Sequence, residues 1–123
     1  MELFKIVDAS ESLIKLSRQD LPIRNAFKLQ VLIDIIRDYT QNFSVQQAKL
    51  LNTYGIAVKN KPGAYTIPLK NTEKYNSELG SLLNTEVVIL TDKIEIIMTD
   101  TLIFSAADIA CTLPFINYTD GSV

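Results

Sequence analysis

The stretch 21–54 constrains this chain more than any other part of it. It opens on Leu21-Pro22 and is closed by Gly55, and after Pro22 it contains neither Pro nor Gly. Leu29, Ile36, Phe43 and Leu50 recur every seven residues, with Leu32, Ile33, Tyr39 and Tyr54 beside them on one helical face. Pro is tolerated in a first turn because the N–H it lacks would have no partner there. A glycine just past the last turn suits a left-handed helix cap. The pattern predicts one helix of roughly 45–50 Å at 1.5 Å per residue. That is longer than a small globule needs, so the helix is either a scaffold or half of an oligomer seam.

Its two halves differ. Phe27, Leu29, Val31, Leu32, Ile33, Ile35 and Ile36 crowd nearly all sides of the first half, which predicts burial there. After Tyr39 the stripe narrows to Phe43, Val45, Ala48, Leu50, Leu51 and Tyr54, with Gln41, Gln46, Gln47 and Lys49 over much of the rest. Phe43, Leu50, Leu51 and Tyr54 are therefore the candidate interface, closed by an antiparallel two-fold dimer. The competing reading folds a third helix, carrying Tyr75, Leu79, Leu82 and Leu83, back over the stripe.

The remaining elements are read around this one. Leu3, Phe4, Ile6 and Val7 form a short strand or docking arm. Asp8 and Glu11 cap a helix over 9–18 that turns Leu13, Ile14 and Leu16 onto the long helix as an αα-hairpin. Residues 55–63 read as a loop with Pro62-Gly63 as its turn, and 65–69 as an edge strand demoted by Pro68. Asn71 or Thr72 caps a helix over 73–83, which Gly80 weakens. Two β-branched runs, 86–90 and 93–98, flank Thr91-Asp92 and predict an antiparallel hairpin. Ser105-Ala106-Ala107-Asp108 has the form of a capping box for a short helix to Leu113, stopped by Pro114. Residues 119–123 read as a frayed tail.

The chemistry is sparse. With 47% apolar and 21% charged residues, the 123-residue chain is a single folded domain, 1–123. A net charge of −2 gives nothing that draws it as a whole to nucleic acid or an anionic membrane. No run is long enough for a membrane span, and the N-terminal residues lack a signal-peptide pattern. The chain has no His and one cysteine, Cys111, which sits amid Ile109, Ala110 and Leu113 and reads as a small buried hydrophobe. Imidazole and thiolate metal sites and His-based catalysis are thereby excluded. Asp34 and Asp38 share a helix face with Arg37 and Lys28 nearby, which reads as a solvated face because no third ligand is visible. No cofactor, metal or catalytic residue is assigned. Lys59, Lys61, Lys70 and Lys74, interleaved with Tyr65 and Tyr75, are the one segment suited to phosphates and stacked bases.

The order of parts is also familiar. Leu21-Pro22 with Arg24 to Leu29 opens the long helix, Tyr54-Gly55 ends it, and Tyr75-Asn76-Ser77-Glu78-Leu79 and Leu82 to Val87 follow. The close is Ser105-Ala106-Ala107-Asp108-Ile109 with Leu113 and Phe115-Ile116. This resembles a group of small uncharacterised proteins encoded by tailed bacteriophages. The chain departs from the group at Gln41, Asn42, Gln46 and Gln47, where charge is usual. The resemblance implies a viral origin and a role in the particle, its assembly or host takeover, and it transfers no functional residue.

The expectation is thus an α+β fold: a helical hairpin built on the long helix, a small antiparallel sheet and short C-terminal helices. The expected function is that of a non-enzymatic phage protein in the virion or the host cytoplasm, acting by association with a protein partner or with itself. A nucleic-acid-associated phage protein using the basic segment 59–74 is the alternative.

Overall fold

The computed structural model describes residues 1–120, and its spine is a helical pair. Helix α1 (Leu3–Ser17) carries Leu3, Ile6, Ala9, Leu13 and Leu16 at helical spacing, and all five are buried. That stripe begins at Leu3, which is why 3–7 is helix and not the expected strand or arm. Asp8 accordingly lies inside the helix on an exposed position and caps nothing. Glu2 is the N-cap, and the first orphan amide, that of Leu3, donates to the Thr85 carbonyl at 2.9 Å.

Helix α2 (Ile23–Tyr54) follows a turn at Arg18 to Pro22 and runs 32 residues, as the uninterrupted pattern predicts. Leu13 and Leu16 of α1 share a buried cluster with Leu29, Leu32, Ile33 and Ile36, and Ile14 packs half-buried on it. The αα-hairpin is therefore present, and its core lies on the first half of α2. Gly55 does not form the expected left-handed cap. Its φ of −100° is extended backbone. What demands glycine there is space, since a Cβ would come within 2.6 Å of the Leu51 carbonyl oxygen.

Strands β1 (Ile56–Ala57) and β2 (Tyr65–Thr66) pair antiparallel, Ile56 with Thr66 and Ala57 with Tyr65, around a turn in which Gly63 takes φ +80°. The strand ends before Pro68, which instead serves as N-cap of α3 (Leu69–Leu83). Helix α3 therefore starts four residues earlier than Asn71 and Thr72 suggested as caps. The Asn71 side chain has another task. Its Nδ2 donates to the Tyr54 carbonyl at 3.0 Å, satisfying an orphan acceptor at the end of α2.

The C-terminal half departs most from expectation. Residues 86–90 join no sheet and so form no hairpin with 93–98; they run extended beside the first residues, with the Val87 amide on the Met1 carbonyl at 2.8 Å and a single bridge between Glu86 and Glu2. Strand β3 (Ile94–Ile97) pairs with a later partner. After α4 (Ala106–Thr112) the chain returns as β4 (Ile116–Thr119), parallel to β3, with Ile94 opposite Ile116 and Ile96 opposite Tyr118. The reason is burial: Ile94, Ile96 and Ile116 all reach the main cluster through this pairing, which a hairpin with 86–90 would forgo. The capping box of α4 is formed as expected, Ser105 Oγ accepting from the Asp108 amide and Asp108 accepting from the Ser105 amide. Thr119 lies in β4 and not in a tail, while residues 121–123 of that expected tail lie outside the described residues.

Candidate interaction surface

Each residue singled out from the sequence now has a place. Phe43, Leu50, Leu51 and Tyr54 are half-buried, not open. Helix α3 lies against this part of α2, where Leu50, Thr53 and Gln46 border a shallow crease with Glu78 and Leu82. Tyr75 is buried, and the neighbouring Glu78 carboxylate raises the pKa of the Tyr54 hydroxyl. The narrow stripe is therefore partly covered from within the molecule.

Lys59 and Lys61 sit in the turn between β1 and β2, and Lys70 and Lys74 lie one turn apart at the start of α3; all four are exposed. The aromatics interleaved with them are otherwise engaged. Tyr75 is buried, and the Tyr65 hydroxyl donates to Asn52 Oδ1 at 2.7 Å. Asp34 accepts from Gln30 Nε2 at 2.9 Å and pairs with Arg37 at 3.6 Å on an exposed face. Among the described residues no group of three His, Cys, Asp or Glu side chains could hold a metal ion. No helix among them is long and apolar enough to cross a membrane.

A polar cluster that sequence reasoning missed joins α1 to α4. Ser12 Oγ and Lys15 Nζ each donate to Asp108, one to each carboxylate oxygen, both at 2.7 Å. Cys111, half-buried, shares its single S–H between Ser12 Oγ at 3.1 Å and the Asp108 carbonyl at 3.3 Å. The Lys15 ammonium, the Ser105 amide and the Ser12 hydroxyl together hold the Asp108 carboxyl well below the usual range. Ser12, Lys15, Asp108 and Cys111 bond to one another between α1 and α4, so the cluster is a clasp.

An apolar surface stands open on the first half of α2. Ile23, Phe27 and Val31 follow one another at every fourth residue, 83%, 70% and 42% exposed, on the side opposite Leu29, Leu32, Ile33 and Ile36. The all-round crowding that predicted burial here is two stripes back to back, and a helix on the outside of one core can bury only one of them. That doubled stripe was the readable signal. Alongside the ridge runs a crease of about 250 Å³ between Phe27, Lys28, Val31 and the segment 91–94. Arg24 and Lys28 flank the ridge at its start, and Asp34 and Asp38 stand on the turns beyond it, all exposed. Such a surface can dock an apolar partner. Compared with protein-family models, curated proteins and solved structures, the chain matches none.

Proposed function

We propose that this chain is a non-enzymatic protein of a tailed bacteriophage, a structural, assembly or host-interaction component that acts by protein–protein association in the virion or the host cytoplasm. The observation that carries the association is the ridge of Ile23, Phe27 and Val31. Its exposed side chains amount to roughly 300–500 Å² of apolar surface, the size at which the largest patch on a monomer is commonly functional. Burying one such side chain in full is worth about 1.5–3 kcal/mol, and the isolated chain forgoes most of this at Ile23 and Phe27 and part of it at Val31. A partner recovers it.

A photo-crosslinking residue at Val31, with a control at Lys70 on α3, tests the reading in a phage-infected host. Protein adducts at position 31 and none at position 70 are expected. Equal adducts at both positions, or none at 31, would overturn it.

A further inference from the structure

We propose that the partner covering this ridge is the same ridge on a second copy of the chain, set antiparallel about a two-fold axis between Phe27 and Val31. The inference rests on the association reading above and names its partner. A two-fold contact requires a patch that complements itself, so that a knob and its hole lie on one surface. This patch has both. Phe27 protrudes, and the crease of about 250 Å³ lies directly beside it, large enough to receive a phenyl ring. Rotation about the axis sets each Phe27 against Val31 of the second copy and into the crease behind it.

Charge selects the direction. Arg24 and Lys28 occupy the start of the face and Asp34 and Asp38 its continuation. The antiparallel arrangement brings Arg24 level with Asp34 of the second copy, one turn from its Asp38. A parallel arrangement sets Arg24 on Arg24 and Asp34 on Asp34, which repel. Asp34 already pairs with Arg37 of its own helix at 3.6 Å, so Arg24 joins a network in place of an isolated carboxylate. Area sets the strength. The apolar ridge supplies about half of the roughly 800 Å² per partner of a standard interface, with the flanking charges and the segment 91–93 supplying the rest. The pair is accordingly reversible.

Sedimentation velocity of the full chain from about 1 μM to 1 mM brackets such an interface. The wild type is expected to shift from one chain to two across the range. Phe27→Asp and Val31→Lys, both at exposed positions that leave the core untouched, are expected to weaken pairing by roughly 100-fold, as loss of a central anchor does. Arg24→Glu weakens it less, and adding Asp34→Arg restores it. A single-chain mass at every concentration overturns the inference, as does a dimer that neither Phe27→Asp nor Val31→Lys disturbs. Circular dichroism establishes that each variant is folded. A monomer that still forms Val31 adducts with a different protein overturns self-pairing and leaves the association reading standing; absence of all adducts removes both.

Discussion

Ser12 and Asp108 lie 96 residues apart in the chain and share a 2.7 Å hydrogen bond that fastens the last helix to the first. Lys15 takes the other carboxylate oxygen at 2.7 Å, and the same Asp108 closes the capping box with Ser105. One carboxylate thus sets the start of α4, its attachment to α1 and, through the strand that follows, the return of β4 alongside β3.

That arrangement makes stability depend on acid. The native Asp108 carboxyl is held below its ordinary value of about 3.8 by Lys15 first, then by the Ser105 amide and Ser12. Above the unfolded value both states are ionised and the clasp contributes in full. Below it the unfolded chain takes up a proton that the native chain resists, so stability falls as pH drops below about 3.8. Urea unfolding at pH 5, 4, 3 and 2 is expected to show this loss, and Asp108→Asn to flatten it. Superimposable pH profiles for the two proteins would show that the clasp does not govern acid stability.

The cap itself is separable from the charge. Ser105→Ala removes the oxygen that accepts from the Asp108 amide while leaving Lys15 and Ser12 in place. A cost of about 1 kcal/mol is expected from denaturant titration, with the far-ultraviolet signal nearly unchanged because α4 has only seven residues. Ile96→Ala, which empties a fully buried site beneath β3, is expected to cost more, on the order of 2–5 kcal/mol.

How much of this was legible depends on the range of the signal. The long helix was, because Pro22, the absence of later breakers and the repeat from Leu29 to Leu50 are all local. So was the Ser105 cap, whose two members are three residues apart. The partner of β3 was not. Val87 to Leu90 has the β-branched composition of a strand, and nothing local says that the Val87 amide will turn to Met1 or that β3 will wait for β4, beyond an intervening helix. Register with a distant strand is decided by which pairing buries Ile94, Ile96 and Ile116 together. The ridge was half legible: Phe27 and Val31 stand out in the sequence and Ile23 does not, and the apolar density of this half predicts burial where the structure leaves a face exposed. Density on two opposite faces of a helix packed on one side leaves one of them outside.

Two glycines are expected to respond in opposite senses. Gly80 lies inside α3 with open space where a Cβ would go, so Gly80→Ala is expected to stabilise by about 0.5–1 kcal/mol through lower backbone entropy in the unfolded chain. At Gly55 the same change drives a Cβ to 2.6 Å from the Leu51 oxygen and 3.3 Å from Tyr65. The end of α2 or the β1–β2 hairpin must shift, and the melting temperature is expected to fall. Equal effects at the two sites would contradict the geometry at Gly55.

The second half of α2 supplies the contrast to the ridge. Leu50 is half-buried beside Leu82 and Glu78, in the seam that α3 closes over the narrow stripe. Leu50→Ser is therefore expected to destabilise the fold, by about 1–2 kcal/mol given its partial burial, and to leave the sedimentation behaviour of the chain where it was. Phe27→Asp is expected to do the reverse, changing the mass distribution with little effect on the melting temperature. The two variants measured side by side separate internal core from external surface on one continuous helix. If Leu50→Ser abolished pairing in a chain that melts like wild type, the contact between copies would lie on the Phe43–Tyr54 stripe and α3 would have to move aside to admit it.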